Sequence, residues 1–336
     1  MTVLALGLTV AGVVAEAQAP ATQSTSESGQ VASESQQANE PEADGQAFQG
    51  SVSVGYVLVP VVVRARDGFA DRLGRDDFQL RVDGQVTAIE SFESGTDAPI
   101  GVLFLQDLSG SMGVAPKLQR SRRLIQCILE KRRPGDEFAV ASFSDEQLFV
   151  EVPFPGSPEA IGEVASGWRG YGRTALHDAV AWLPDIVHSR ASPRRAVVLV
   201  TDGVDNASDL GPEAARAEIR QAEVPVHVVG LETGSFKVLH PDGSKMYRLA
   251  DMLNLIGWAT GGGYHPIARN DDLTAACGAI VENLRHQYVL GFSTRGEAAP
   301  GRHQIQVALT GKNNKLRIDH RRSYEGTLPR TMQSSR

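Results

Sequence analysis

Apolar and polar positions alternate with two different periods along the middle of the chain. Residues 100–105 form an apolar run typical of a strand buried on both faces, and residues 116–132 then follow a helical period. The pattern continues in strands at 137–143, 146–152, 196–200 and 224–230 and in helices at 175–189, 212–222, 249–259 and 271–285. Strands interleaved with helices predict an α/β fold over residues 97–285, with a doubly wound, mainly parallel, Rossmann-like sheet.

Short β patterns lie on both sides of this α/β segment. In the N-terminal flank, residues 51–95, a Val-rich stretch at 52–66 precedes an alternating stretch at 77–92 that contains an Asp-Gly turn. The C-terminal flank, residues 286–325, has three further strand patterns, at 287–293, 303–309 and 316–324. Because neither set forms a comfortable sheet alone in water, we expect the two flanks to associate into one β module.

A hairpin is predicted within residues 232–248, directly after the strand at 224–230. Two short alternating runs, 236–239 and 245–248, flank Pro-Asp-Gly, which favours a tight turn. Connections that leave the carboxyl ends of parallel strands emerge at one edge of the sheet. We expect the hairpin to rise at this edge and to act as a rim for partner binding, with an uninvolved surface hairpin as the alternative.

The first residues of the chain have the pattern of an export signal. Residues 1–14 are apolar but too short for a membrane-spanning helix of about 20 residues, and Ala-x-Ala patterns end at Ala17 and Ala19. We predict a signal peptide at residues 1–19, a secreted or periplasmic location, and no transmembrane span in the mature chain. No basic residue precedes the apolar run, so an uncleaved tail is the alternative.

Composition and charge narrow the classes of function. The chain has 336 residues, 41% of them hydrophobic, and two cysteines, which excludes a small disulfide scaffold. Residues 1–63 hold six acids and no Lys or Arg, so most of the net charge of −7 lies there. A nearly neutral body without a long basic run argues against a nucleic-acid partner. Residues 20–50, rich in Ser, Gln, Glu and Ala, are predicted to be a disordered linker, and residues 326–336 a tail.

The residues best suited to bind a ligand lie at the ends of two apolar strands. The first strand runs into Asp107, followed by Ser109 and Ser111, and the strand at 196–200 runs into Asp202. In the common doubly wound order these strands are neighbours where the strand order reverses, and ligands bind at that point. Acids and hydroxyls without His or Cys form an all-oxygen cluster, which suits Mg²⁺ or Mn²⁺, with Ca²⁺ as an alternative.

The spacing of these residues resembles a known family. Asp107-x-Ser109-x-Ser111, then Thr174, then Asp202 in Thr-Asp-Gly, is similar to the metal-ion-dependent adhesion site of von Willebrand factor A domains. The Val-Pro-Val-Val-Val segment near residue 60 and the segment at 288–324 also resemble the bacterial secreted proteins related to these domains.

The resemblance implies a role for each residue of the site. Ser109 and Ser111 would bind the metal directly, Thr174 would do so in a ligand-competent state, and Asp107 and Asp202 would act through water. The ion would then accept an Asp or Glu carboxylate from a partner protein. The resemblance therefore implies a binding module of the adhesion type and not an enzyme.

Three other interpretations compete with metal-dependent adhesion. A serine hydrolase with Ser111 as nucleophile would need a Gly-x-Ser-x-Gly elbow, and the match fails at its first glycine. A structural extracellular domain with a vestigial metal site is the second alternative. The third is that Ser109, Ser111 and Thr174 merely cap helices, although capping does not explain acids at two strand ends. Asp202, Asp205, Asn206 and Asp209 could form a calcium loop, but the order and the closing Glu of an EF-hand are absent, so a solvated loop beside the metal is expected.

Cys127 and Cys277 lie on the apolar sides of two predicted helices. In the resembled fold the first and last helices pack near each other, so an exported chain could bridge them. We expect two buried free thiols, with the bridge as the alternative, because sequence does not test the geometry that a disulfide needs.

Overall fold

The structure is a computed structural model. It describes residues 55–114, 116–145, 147–187, 194–221, 223–233, 236–239, 246–294, 301–311 and 316–326. All described residues belong to the unit Ser51–Arg336. The signal peptide and linker predicted for residues 1–50 therefore lie outside the described part, as does the predicted tail from residue 327 onward.

The described residues form strands and helices as follows. The strands are β1 (Gly55–Ala65), β2 (Gly68–Phe69), β3 (Phe78–Val82), β4 (Gln85–Thr87), β5 (Ser91–Glu93), β6 (Gly101–Asp107), β7 (Glu137–Ser144), β8 (Gln147–Gly156), β9 (Arg195–Thr201), β10 (Val226–Leu231), β11 (Lys237–Leu239), β12 (Met246–Arg248), β13 (Tyr264–Ile267), β14 (Gln287–Thr294), β15 (Gly301–Leu309), β16 (Arg317–His320) and β17 (Ser323–Gly326). The α-helices are α1 (Lys117–Glu130), α2 (Pro158–Gly167), α3 (Leu176–Ala181), α4 (Leu183–Val187), α5 (Pro212–Ile219), α6 (Leu249–Thr260) and α7 (Asn270–Arg285). Two short 3₁₀ helices span Arg75–Asp77 and Gly110–Gly113.

The central sheet has the order β13-β10-β9-β6-β7-β8. Every neighbouring pair is parallel except β7 and β8, which are antiparallel. All seven residues of β6 are buried because helices cover both faces of the sheet. Val102 and Phe104 belong to the apolar core on the α1 and α7 side, whereas Leu103 and Leu105 belong to the core on the α3, α5 and α6 side. The predicted doubly wound α/β fold is confirmed.

The two flanks pair with each other in two further sheets. One has the order β16-β1-β14-β5, with β2 beside β1, and the other has the order β17-β15-β3-β4. β1 and β14 pair antiparallel over eight residues, from Gly55 opposite Thr294 to Val62 opposite Gln287. The sheets share an apolar core that includes Val59, Leu80 and other buried residues of both flanks. The predicted β module built from both flanks is confirmed.

The β module contacts the α/β domain at the amino ends of the central strands. Arg194, which precedes β9, donates hydrogen bonds to the carbonyl oxygens of Gly95 and Arg285. Arg321, from the β module, donates to the carbonyl oxygen of Arg220, in the connection that leads into β10. The carboxyl ends of these strands, at the opposite edge of the sheet, carry the site residues.

Several elements differ from the sequence-based predictions. Helix α2 and strand β13 were not predicted; β13 contains a proline and pairs only with β10, as an edge strand can. The helix predicted at 175–189 breaks at Trp182 into α3 and α4, with Pro184 near the start of the second. The single strand predicted at 316–324 is two strands, β16 and β17, which pair in different sheets.

A disulfide joins Cys127 of α1 to Cys277 of α7, so the expectation of two free thiols was wrong. The two helices pack on the same face of the central sheet, with their cysteine Cα atoms 6.3 Å apart, within the range that a disulfide spans. The two cysteines are 150 residues apart in the sequence, so the sequence pattern did not indicate that they lie close in space.

Replacing both Cys127 and Cys277 with alanine should lower the free energy of unfolding by about 2–4 kcal/mol, because the bridge closes a long loop in the unfolded chain. Urea unfolding with and without a reductant measures this. The reductant should destabilise the wild type and leave the double variant unchanged. Equal stability of the oxidised wild type and the double variant would contradict the expectation.

His320 of β16 is a buried histidine held in its neutral form. Its Nδ1 donates to the carbonyl oxygen of Arg321 at 2.6 Å, and its Nε2 accepts from the backbone N–H of Val307 at 3.4 Å. Burial lowers the pKa of His320 to about 4. Since the imidazole stays neutral in the folded protein and titrates near 6.5 when unfolded, its contribution to stability is complete above pH 6.5 and is lost as the pH falls toward 4.

We expect this titration to cost the wild type about 2 kcal/mol at pH 5 relative to pH 7.5. His320→Gln, which cannot titrate, should lose less stability over the same interval by about that amount, while the buried His227 titrates equally in both proteins. Urea unfolding of both proteins at pH 7.5, 6 and 5 checks the difference. Parallel losses in the two proteins would rule out this role for His320.

Candidate functional site

The five predicted site residues lie at the carboxyl edge of the central sheet. Asp107 is the last residue of β6, and Ser109 and Ser111 lie in the turn and 3₁₀ helix that follow. Asp202 follows β9, which runs parallel to β6 as its neighbour. Thr174 lies in the loop that leads into α3. The parallel pairing therefore brings the ends of two strands and their connections to one edge.

Hydrogen bonds link four of the five residues in a continuous chain. The backbone N–H of Ser109 donates to Asp107 Oδ1 at 2.8 Å, and the hydroxyl oxygens of Ser109 and Ser111 are 3.2 Å apart. The Ser111 hydroxyl donates to Asp202 Oδ1 at 3.0 Å. Among the described residues, the Ser111 hydroxyl thus makes its side-chain hydrogen bonds with a hydroxyl and a carboxylate.

Thr174 reaches the same edge through its backbone. The loop before it docks on the serine turn, where the N–H of Gly110 donates to the carbonyl oxygen of Gly172 at 3.0 Å. A side chain at Gly170 would overlap the backbone of Gly113, so this close approach requires glycine. Among the described residues, the Thr174 side chain makes no hydrogen bond to the other four site residues.

Asn206 fixes the position of Thr174 from the other side. Its Oδ1 accepts from the Thr174 N–H at 2.9 Å, and its own N–H donates to the Thr174 carbonyl oxygen at 3.0 Å. The loop that carries Asn206 is anchored to α3, because the Asp178 carboxylate accepts the N–H groups of Asp209 and Leu210. The loop predicted to be solvated is partly exposed, but it also positions Thr174, which the sequence did not indicate.

Asp107 is a fully buried carboxylate. Burial raises the pKa of Asp107 to about 6, while hydrogen bonds from Thr201 and Ser109 act in the opposite direction. The Thr201 hydroxyl donates to Asp107 Oδ2 at 2.6 Å and accepts from the N–H of Gly203 at 2.9 Å. Thr201 therefore joins the end of β9 to the end of β6 and fixes the orientation of the carboxylate.

Lys117, the first residue of α1, is a site residue that the sequence analysis missed. Its Nζ lies 2.7 Å from Asp202 Oδ2 and 3.3 Å from the carbonyl oxygen of Ser111. The sequence contains one indication that Lys117 has a partner outside its helix. A cation is disfavoured at the N-terminus of a helix, and α1 has no acid in its first turn to offset the charge.

The predicted hairpin has the expected paired strands. β11 and β12 are antiparallel, with Lys237 opposite Arg248, and the turn at 240–245 lies outside the described residues. Directly after β12, the side chains of Leu249 and Leu253 pack against Gly203, which adjoins Asp202. The base of the hairpin is therefore near the site, and Phe236, at its start, is exposed.

The donor atoms limit which ligands the edge can hold. Among the residues that the structure describes, no group of three or more His, Cys, Asp or Glu side chains is positioned to hold a metal ion. A cation at this edge would rely on hydroxyl oxygens in addition to the carboxylates of Asp107 and Asp202.

In the described part of the chain, no helix has the length and apolar character needed to cross a membrane.

The fold and the polar edge define a doubly wound α/β domain with an oxygen-rich cluster at the point where strand order reverses. Residues 102–204 match the family model of the von Willebrand factor type A domain. The chain therefore contains a von Willebrand factor type A domain. Domains of this family are generally protein-interaction or adhesion modules.

The chain is similar to proteins from several organisms. The inter-alpha-trypsin inhibitor heavy chain H4 of Bos taurus is 26% identical over 141 residues, which cover 39% of this chain and 15% of the bovine protein. The chain thus spans only a small part of that relative. A von Willebrand factor type A structure from Catenulispora acidiphila has 13% identity and a TM-score of 0.46, covering 81% of this chain and 75% of that one. BatB from Bacteroides thetaiotaomicron has 18% identity and a TM-score of 0.44, covering 55% of this chain and 97% of that one.

Thr201→Val should lower the free energy of unfolding by about 1–3 kcal/mol, because it removes the hydroxyl that donates to the buried Asp107 carboxylate while nearly preserving shape. Thr201→Ser keeps the hydroxyl and serves as the matched control, with a smaller expected loss. Urea unfolding at pH 7.5 measures both. A larger loss for the serine variant than for the valine variant would contradict this role of the hydroxyl.

Proposed function

We propose that this domain binds a divalent cation through Asp107, Ser109, Ser111, Thr174 and Asp202 and uses it to capture an Asp or Glu carboxylate of a partner protein. The observation that carries the proposal is the convergence of oxygen-bearing side chains on the carboxyl edge of the sheet. Four of them share one chain of hydrogen bonds, and Thr174 adjoins them.

The residues present fit a hard divalent cation. The donors are hydroxyl and carboxylate oxygens, which Mg²⁺ and Mn²⁺ prefer, with Ca²⁺ as a weaker candidate. The edge already attracts a cation, because the Lys117 ammonium lies 2.7 Å from Asp202. When bound, the ion would supply a positive centre for an incoming carboxylate. Ser109, Ser111 and Thr174 would hold it with neutral oxygens, and Asp107 and Asp202 would offset its charge.

The burial of the site residues favours the approach of a partner from the side on which Ser111 is exposed. Asp107, Ser109 and Thr174 are buried, whereas Ser111 is exposed. Val114 and Tyr171, both exposed, adjoin this opening, since the Val114 N–H donates to the Ser111 carbonyl oxygen and the Tyr171 N–H to that of Leu108. A partner would therefore present its carboxylate over Ser111. We extend the proposal to the β11–β12 hairpin, as a rim that selects among partners.

We also propose that the protein is exported and acts outside the cytoplasm. Support comes from the disulfide between Cys127 and Cys277, because disulfides persist in oxidising compartments such as the periplasm and the extracellular space. The apolar and Ala-x-Ala pattern of residues 1–19 points in the same direction.

Calorimetric titration of Mg²⁺ and Mn²⁺ tests the proposed site. The wild type should bind one ion, and Asp107→Ala and Asp202→Ala should each lose at least about tenfold in affinity, because each removes a charge that offsets the cation. Asp202→Asn, which keeps an oxygen, should lose less than Asp202→Ala. Asp209→Ala removes an exposed acid from the same loop and is the matched control.

Thr174→Ala separates carboxylate capture from metal binding. It removes one hydroxyl and no charge, so it should weaken Mg²⁺-dependent binding of a Glu-rich peptide more than it weakens Mg²⁺ itself. The same peptide with Gln in place of Glu is the control for the carboxylate. Equal metal and peptide affinities in the wild type, Thr174→Ala and Asp202→Ala would refute the proposed function.

A further inference from the structure

Lys117 makes the closest ionic contact in the candidate site. Its ammonium lies 2.7 Å from Asp202 Oδ2, and the side chains of Lys117 and Asp202 are only 13% and 10% exposed. An ion pair so shielded from water is weakened less by solvent and salt than a surface pair. Any other cation that approaches Asp202 therefore meets the Lys117 charge with little screening by solvent.

The position of Lys117 in its helix needs an explanation from outside that helix. The N-terminus of α1 carries the positive end of the helix dipole, which disfavours a cation there. The first turn of α1 has no acid and its N-cap is Pro116, which makes no side-chain cap. The Asp202 carboxylate, which follows β9, supplies the compensating charge. The lysine is thus held by the site and not by its own helix.

Both carboxylate oxygens of Asp202 have donors. Oδ1 accepts from the Ser111 hydroxyl at 3.0 Å, and Oδ2 accepts from Lys117. Lys117 Nζ also lies 3.3 Å from the Ser111 carbonyl oxygen. A divalent cation and the ammonium carry charge of the same sign and would act on the same carboxylate, so each weakens the binding of the other.

We propose that Lys117 is a tethered cation that competes with the divalent ion for Asp202 and so sets the metal concentration at which the site fills. This inference rests on the proposed metal-dependent function. Binding of the divalent ion would release the Lys117 ammonium from Asp202, and loss of the ammonium would make the metal bind more tightly. Lys117 would act as a residue that tunes metal affinity and not as a metal ligand.

Calorimetric titration of Mg²⁺ into Lys117→Met tests the competition. The variant should bind Mg²⁺ roughly tenfold more tightly than the wild type, because it keeps an apolar stem of similar length and removes the charge. Arg123→Met, which removes an exposed cation of the same helix, is the matched control and should change the affinity by less than about twofold. In an Asp202→Asn background, Lys117→Met should have little effect, since the carboxylate through which it acts is absent.

A second measurement uses the wild-type chain and does not depend on a variant that folds. Acylation of lysine amines by a soluble reagent, read by mass spectrometry, should modify Lys117 several-fold faster when saturating Mg²⁺ is present. Lys131, exposed at the other end of α1, is the internal control and should not change.

The outcomes separate the competition from the function on which it rests. If neither the wild type nor Lys117→Met binds Mg²⁺ or Mn²⁺, the metal site itself is wrong and the competition fails with it. If both bind with equal affinity, or the variant binds more weakly, the competition is overturned while the metal site stands. Tighter binding by the variant, lost in the Asp202→Asn background, supports the competition. Unchanged acylation of Lys117 in a wild type that binds Mg²⁺ would also overturn it.

Discussion

The burial of the Asp107 carboxylate between two parallel strands is the constraint on which the candidate site depends. A buried carboxylate is costly unless hydrogen-bond donors surround it. Here the Thr201 hydroxyl and the Ser109 N–H provide the donors, from the end of the neighbouring strand and from the turn after Asp107. Because Thr201 precedes Asp202 and Ser109 begins the turn that leads to Ser111, the bonds that satisfy Asp107 also position two other site residues.

The other described elements support the site from the faces and from the amino end of the central sheet. The β module contacts the α/β domain near the amino ends of β9 and β10, through Arg194 and Arg321. The disulfide ties α1 to α7 on one face of the central sheet. Around the site, the loop anchored by Asp178 positions Asn206 and thereby Thr174. The β module, the disulfide and the loop anchored by Asp178 therefore support a site in which Ser111 is the exposed residue.

The Lys117 ammonium adds a positive charge to the candidate site. The Asp202 carboxylate lies 2.7 Å from a cation of the chain itself, the Lys117 ammonium. A site that carries its own cation binds an external one less tightly than its carboxylates alone would allow. The competition that we propose would make the site respond to the concentration of the divalent ion, and the partner's carboxylate would then meet a centre whose occupancy Lys117 controls.

The sequence by itself determined the α/β alternation, the association of the flanking strands and the five candidate site residues, because these depend on local periodicity and on residue types at strand ends. Helix α2 could also have been found, since Ser157 caps it and Pro158 is its first residue. Only the tertiary structure decided the disulfide between Cys127 and Cys277, the division of residues 316–324 between two sheets, and the contacts of Lys117 and Asn206 with the site. Each of these joins segments far apart in the chain or depends on which sheet a strand enters, and such proximity leaves no periodic pattern in the sequence.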